Sequence, residues 1–210
     1  MTVGVMCTIG PTRFTGLLAG IQSSNPGLEI RLTEGIPSVL TKQLEEGVLD
    51  LAIMANATPF PERFDVRPLY RERFVMAFPA GHRFASLNAI PMETISGENY
   101  LRRLNCEYRD HLSELCEARS VNMRVAHASE RDDWIQNMVA AGLGVCFLPE
   151  YSAVAPGVQI RPVIEPEVWR DISLVTVSGR RFSPAQNAFL TAVKAYSWPG
   201  HIDADDPVAA

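Results

Sequence analysis

The sequence lacks several features that would assign it to a functional class at once. Its four cysteines in 210 residues are too few and too scattered for a disulfide framework. The sequence has 19 basic and 24 acidic residues, which gives a net charge of -5. It contains no cluster of basic residues that would bind nucleic-acid phosphates. No apolar run approaches the ~20 residues that span a bilayer, and the first residues do not form a secretory signal. We therefore expect a cytoplasmic protein that has no membrane contact.

Enzyme and metal-site signatures are also missing. The sequence contains no G-x-S-x-G, P-loop or H-E-x-x-H motif. Its histidines lack the spacing of metal ligands, and the AGLG segment at 141–144 follows a helical pattern, which predicts a helix C-terminus and not a dinucleotide loop. We therefore expect no catalytic residue, metal or cofactor. The weakest alternative is an enzyme that uses none of these motifs.

What the sequence does contain is an alternation of short apolar runs and amphipathic helical segments, which predicts an α/β fold with a largely parallel sheet. Strands are expected at 3–7, 28–33 and 49–54, with helices that begin at Pro11 and Pro37 between them. In such sheets, ligands bind beyond the carboxyl ends of the strands, near helix N-termini. The candidate positions in this part of the chain are therefore 8–11, 36–38 and 55–56.

The second part of the chain repeats the alternation after one long extended run. Residues 66–78 read as a single strand that leaves the first structural unit for a second. Ser129 and Asp132 have the form of a capping box ahead of a helix. The tail from Pro199 is expected to be disordered. Further strands are expected at 99–104, 121–128, 145–148, 158–163 and 172–177, and further helices at 107–119 and 184–196.

A series of short segments, in their order and spacing, resembles the effector-binding domain of LysR-type transcriptional regulators. The resemblance covers residues 2–196, and no single segment is specific by itself. The segments are VGVMCTIGP (3–11), NPGLEI (25–30), EG (34–35), LEEGVLDLAI (44–53), RPLY (67–70), PAGH (79–82), NMVAAGLG (137–144) and LP (148–149).

This resemblance implies two Rossmann-like subdomains joined by two crossing strands, the type 2 periplasmic-binding-protein-like fold, with a small-molecule cleft between them. The subdomains would comprise residues 1–72 plus 168–210, and residues 73–167. Members of the family begin with a winged helix-turn-helix that contacts DNA. That domain is expected to be absent from this chain, which opens on the first strand of the effector domain.

The resemblance also assigns effector-binding positions. In the first subdomain they are Thr8 and Ile9, Asn56, and Pro37 with Ser38, where Pro37 stands in place of the family's usual Ser or Thr. In the second they are Leu104, Asn105, Cys106, His127, Ser129 and Phe147. Thr8, Ser38 and Ser129 have an equally weighted alternative as simple helix caps. Because the positions combine helix N-termini with apolar neighbours, they favour a carboxylate with an aromatic or aliphatic body.

The segment NCEYRD (105–110) with Cys116 is similar to the peroxide-sensing member of the family, in which a reactive cysteine precedes Arg-Asp and a resolving cysteine follows. One extra residue separates Cys106 from Arg109 here, so the register differs. A sensor cysteine needs a lowered pKa, which Arg102, Arg109 or a helix N-terminus would provide. The alternative, which we favour, is that Cys106 lines the ligand cleft and Cys116 packs in the core, as we also expect of Cys7 and Cys146.

We therefore expect a regulatory domain that binds a small, anionic metabolite and so shifts the arrangement of DNA-binding domains outside the chain. The alternatives are a redox sensor that uses Cys106 and Cys116, and a solute-binding protein that serves transport. By resemblance, the domain forms a homodimer through the helix at 11–23 and the strand at 28–33. The full-length protein would form a tetramer.

Overall fold

The computed structural model describes residues 1–198, and it divides the chain into two compact units. Unit 1 is Met1–Glu72 with the described part of Asp171–Ala210, and unit 2 is Arg73–Arg170. The second boundary thus falls three residues after the one expected from sequence. The expected disorder of the tail from Pro199 lies outside the described residues. Within those residues, no helix is both long and apolar enough to cross a membrane.

Unit 1 is a sheet with helices packed against it. Strands β1, β2 and β3 run parallel in the order β2-β1-β3, and β10 pairs with β3 in the antiparallel direction. Proline occupies the first turn of each helix, where its missing N–H costs no hydrogen bond. Its elements are β1 (Thr2–Met6), α1 (Pro11–Ser24), β2 (Arg31–Gly35), α2 (Pro37–Glu45), β3 (Leu51–Met54), part of β10 (Trp169–Val177) and α5 (Pro184–Ala195).

Unit 2 combines two parallel strand pairs, one of them between the chain's fifth and ninth strands, with antiparallel strands. The pair β6 and β7 is parallel, whereas β8 and β9 each pair with β4 in the antiparallel direction. The elements are β4 (Phe64–Pro79, which starts in unit 1), β5 (Ile90–Pro91), β6 (Asn99–Arg103), α3 (Arg109–Ala118), β7 (Arg124–Ser129), α4 (Asp132–Ala140), β8 (Cys146–Pro149) and β9 (Val158–Ile164). Short 3-10 helices cover Arg83–Ser86, Met92–Ile95 and Glu150–Ser152.

The chain passes between the units twice, once in β4 and once in β10, because each of these strands contains a unit boundary. The long run at 66–78 is confirmed as one strand. The prediction of parallel pairing is confirmed for β1, β2 and β3 and for the pairs β6–β7 and β5–β9, and it is wrong where β10 pairs with β3 and where β8 and β9 pair with β4. Strand β10 returns the chain to unit 1, and it therefore runs against β3.

Two local predictions also need correction. Residues 28–30 are not part of β2, because the chain still turns there, with the Leu28 amide donating to the Asn25 carbonyl at 2.9 Å, and pairing with β1 starts at Arg31. The capping box at Ser129 does not form. Ser129 ends β7 opposite Arg103, its hydroxyl accepts from the Arg131 amide at 3.1 Å, and Arg131 is the N-cap residue of α4.

The end of α4 confirms the helix C-terminus predicted at 141–144. Gly142 has a φ of +79°, and its amide and that of Leu143 donate to the carbonyls of Val139 and Met138 at 2.9 and 3.0 Å. These two bonds form a Schellman motif. Gly144 then passes so close to β6 that a Cβ there would lie 2.4 Å from the Asn99 carbonyl oxygen, so only glycine fits.

Candidate functional site

In unit 1, the structure brings the predicted positions to one edge of the sheet. Because β1, β2 and β3 are parallel, their carboxyl ends lie together, and the Cys7 amide after β1 donates to the Gly35 carbonyl at the end of β2 at 3.1 Å. Thr8 and Ile9 follow β1, Pro37 and Ser38 follow β2, and Asn56 follows β3. Thr8 is 1% exposed, whereas Ser38 is open to solvent.

The N-termini of α1 and α2 at this edge have no side-chain cap. The N-cap residues are Gly10 and Ile36, neither of which has a side-chain acceptor for the amides of the first turn, and neither first turn contains an acidic residue. The alternative that Thr8 and Ser38 are N-caps is therefore wrong. Uncapped helix N-termini present N–H donors and a partial positive charge, so this edge suits an anion.

In unit 2, the predicted positions separate into two groups. Leu104 and Asn105 follow β6 and are tied to the end of β7: the Leu104 amide donates to the Ser129 carbonyl at 2.9 Å, and Asn105 Nδ2 donates to the Glu130 carbonyl at 3.2 Å. Cys106 lies next, with its carbonyl accepting from the Arg109 amide at 3.1 Å. These residues and Ser129 share one edge.

His127 and Phe147 do not belong to that group. His127 lies within β7, paired with Leu101 and exposed, two residues before the strand ends. Phe147 is 2% exposed and packs in the core, where its ring meets that of Tyr100 edge to face at 6.1 Å between centroids. Phe147 therefore does not lie at the strand-end edge.

Two buried ion pairs flank Cys106. Arg103 binds Asp132 at the start of α4 with two bonds, Nε to Oδ1 at 2.8 Å and Nη2 to Oδ2 at 2.5 Å, and its side chain is 1% exposed. On the other side, Arg170 of β10 binds Glu107, and these side chains are 0% and 2% exposed. Among the described residues, Nη1 of Arg103 is buried without a hydrogen-bond partner.

The pKa values at this position follow from burial and these charges. Burial raises the pKa of the Cys106 thiol, and the opposing effect of Arg103 does not cancel it. For Glu107, burial acts to raise the pKa, but the guanidinium groups of Arg170 and Arg103 outweigh it and hold the pKa below its usual value. The lowered pKa that the redox-sensor alternative requires is therefore not found at Cys106, because burial outweighs the attraction of Arg103.

The other cysteines are mostly structural. Cys116 lies inside α3, is 5% exposed and packs in the core of unit 2, and Cys146 is fully buried. Burial raises the pKa of both thiols. The core positions expected for Cys116 and Cys146 are confirmed, but Cys7 lies just after β1 and is only half-buried. No disulfide joins these cysteines in the described residues.

Sequence reasoning missed the charged residues of unit 2. Every second residue from 168 to 172 is buried, as expected for one face of a strand. Arg170 is therefore a charged residue at a position where the pattern predicts an apolar one. Leu101 and Arg103 repeat the pattern in β6. A buried arginine needs a paired carboxylate, so the two arginines at buried positions indicate that two acidic residues lie nearby. The pattern does not show that these are Glu107 and Asp132, or which acid pairs with which arginine.

Comparison with known proteins agrees with this architecture. The family model described as the LysR substrate binding domain matches residues 1–198. The chain belongs to the LysR family. It is 30% identical over 207 residues to the DNA-binding transcriptional dual regulator OxyR of Escherichia coli, covering 96% of this chain and 67% of that protein. It is 28% identical over 200 residues to the hydrogen peroxide-inducible genes activator of Haemophilus influenzae, covering 93% and 65%.

Among solved structures, the reduced form of the OxyR regulatory domain from Pseudomonas aeruginosa matches with a TM-score of 0.77 and 26% identity, covering 92% of this chain and 96% of that one. The fold is thus that of LysR regulatory domains, the type 2 periplasmic-binding-protein-like fold. The chain spans about two thirds of the length of the curated relatives, which are transcriptional regulators. Within the described residues, no group of three His, Cys, Asp or Glu side chains could hold a metal ion.

Proposed function

We propose that this effector-binding domain binds a small, anionic metabolite at the strand-end edges, and that binding modulates DNA binding and transcription by the whole protein. The uncapped N-termini of α1 and α2 beside Thr8 are the observation that carries the proposal. They supply donors and positive potential for a carboxylate, and no acidic side chain in either first turn opposes it. The proposed effector positions in unit 2 are residues 104–106 and Ser129.

The proposal is tested by calorimetric titration of the reduced domain with aromatic and aliphatic carboxylates, followed by two matched variants. Thr8→Val removes a hydroxyl at the proposed site and should weaken binding ~10–100-fold, the effect of one hydrogen bond to a charged group. Thr15→Val makes the same change at an exposed position of α1 beyond its first turn and should leave the affinity unchanged. Equal affinities in the two variants would contradict the assigned site.

The redox alternative is supported by the relatives, which are named as peroxide-inducible activators. In such a step, the thiols of Cys106 and Cys116 would give two electrons and two protons to hydrogen peroxide, which forms a disulfide and two waters. The raised pKa of both thiols and the burial of Cys116 in α3 weigh against it. Cys106→Ser keeps a small polar side chain at that effector position and should leave metabolite binding mostly intact. If it instead abolishes a response of the domain to peroxide, the redox function replaces our proposal.

We also propose that the domain acts in the cytoplasm as a homodimer, and that the whole protein is a tetramer which contacts DNA through a separate N-terminal domain. Strand β2 lies at the edge of its sheet, and Leu32 on it is 44% exposed, which suits pairing with a second copy through β2 and α1. Light scattering should show a dimer that Leu32→Glu disrupts and Val66→Glu, at a similarly exposed residue, does not. A wild-type monomer would favour the transport alternative.

A further inference from the structure

Unit 2 contains a pocket that the proposed metabolite site does not use, although its lining includes Cys116 of the redox alternative. It has a volume of about 210 Å³ and lies between α3 and the strands β6 and β7. Its lining includes no residue of the strand-end edge described above. The apolar part of the lining includes Leu112, Cys116, Val121 and Phe147, all of which are buried.

The pocket also contains an unpaired cation. Side chains alternate across β6, so that Leu101 and Arg103 face α4, while Tyr100 and Arg102 lie on the side of α3. Arg102 is half-buried, and its guanidinium makes no hydrogen bond or ion pair with any other residue in the described part of the chain. Every other arginine of β6 and α3 has such a partner.

Other polar side chains also line the pocket. Arg109, Ser113 and Asn122 line it together with Glu117. The guanidinium of Arg109 forms an ion pair with the exposed Asp110, with Nε donating to Oδ1 at 2.9 Å. The guanidinium of Arg102 forms no such pair in the described residues. The lining thus holds two cations against one carboxylate, and its net charge is positive.

We infer that this pocket is a second ligand site, internal to unit 2, for a small apolar carboxylate. Arg102 would bind the carboxylate, and the apolar body would lie against Leu112 and Phe147. The size is suitable, because an apolar cavity of ~150 Å³ accepts benzene, so about 210 Å³ leaves room for a ring and one carboxylate group. A guanidinium fork matches a carboxylate in a bidentate geometry.

Benzoate is the probe, titrated by calorimetry into the reduced domain, with benzyl alcohol as the uncharged comparison. Benzoate should bind saturably and more tightly than the alcohol. Arg102→Gln should weaken benzoate ~10-fold or more and leave the alcohol unchanged. The matched control is Arg124→Gln, an exposed arginine of β7 whose guanidinium binds Asn99 Oδ1 and which does not line the pocket.

Cys116 supplies a site-specific readout because it lines the pocket. Benzoate at ten times its Kd should slow alkylation of Cys116 about elevenfold, since only the unliganded fraction reacts. Alkylation of Cys146, which does not line the pocket, should be slowed less. Equal slowing at both thiols would mean that benzoate only makes the whole domain unfold less often and does not cover Cys116.

Two results would overturn the inference. One is benzoate binding that survives Arg102→Gln and is lost in Thr8→Val, which would place the ligand at the edge of unit 1. The other is no saturable binding up to ~10 mM, where a site with a Kd of ~1 mM would be ~90% filled. Either result leaves the proposed function standing, and failure of the proposed function would leave the Arg102 dependence standing.

Discussion

The two strand-end edges use opposite electrostatic designs. The edge of unit 1 has neutral side chains at Thr8, Ser38 and Asn56 and gains its positive potential from uncapped backbone N–H groups. The edge of unit 2 has full charges, but Arg103 and Arg170 are already bound to Asp132 and Glu107. The comparison teaches that charge alone does not mark a ligand site: the edge of unit 1 offers backbone donors without full charges, whereas the paired charges at the edge of unit 2 hold the structure around Cys106.

The largest effect should come from removing one partner of the most deeply buried pair. Glu107→Gln removes the carboxylate charge that Arg170 binds, in a site where the Arg170 and Glu107 side chains are 0% and 2% exposed. Breaking such a pair should lower the free energy of unfolding by ~3–5 kcal/mol, measured by urea denaturation. Glu117→Gln, at an exposed carboxylate of α3, should change it by less than ~0.5 kcal/mol. If Glu107→Gln lowers the free energy of unfolding by less than ~1 kcal/mol, the pair does not stabilise the fold as we propose.

A smaller effect should follow from Asp132→Asn. The partner Arg103 is buried, but Asp132 is 20% exposed, so water can reach the site, and asparagine still accepts one hydrogen bond. We expect a loss of ~1.5–3 kcal/mol by the same measurement. A loss greater than that of Glu107→Gln would reverse the ranking of the two pairs and contradict the burial argument.

Low pH should reduce the stability that the Glu107–Arg170 pair gives to unit 2. The pKa of Glu107 is lower in the folded state than its usual 4.5, so its contribution is complete above that value and is lost as the pH falls through the folded pKa. Unfolding free energies measured from neutral to acidic pH should therefore decline below about pH 4.5, with a shallower decline in Glu107→Gln. If the two slopes are identical, Glu107 does not titrate with folding.

The smallest effect on stability should be at the edge of unit 1. Ser38→Ala changes an exposed side chain that caps nothing, so the free energy of unfolding should change by less than ~0.5 kcal/mol. Carboxylate binding, measured by calorimetry, should nevertheless weaken. A variant that loses stability but keeps its affinity would assign Ser38 to structure and remove it from the site.

The sequence predicted the edge of unit 1 well because local rules decide it. Proline at the first helical position and alternating apolar runs place Thr8, Ser38 and Asn56 after three parallel strands, and parallel strands end together. The resemblance of residues 2–196 to one family supplied the rest of the fold. Neither depends on knowing which distant side chains meet.

The edge of unit 2 could not be predicted in the same way. The Glu107–Arg170 pair joins residues 63 positions apart, and local pattern does not specify such a partner. The pKa of Cys106 is raised by its burial, which only the three-dimensional packing shows. The start of β2 and the cap of α4 were also misplaced, because strand pairing decided both.

The central claim is that this domain responds to a small carboxylate and not to oxidation of Cys106. It is tested most directly by the thermal unfolding of the reduced domain and of Cys106→Ser against a panel of metabolite carboxylates. We predict that at least one carboxylate at 100 times its Kd raises Tm by roughly 5–11 °C in both proteins. A flat panel, with a Tm change on peroxide treatment that Cys106→Ser abolishes, would contradict the claim.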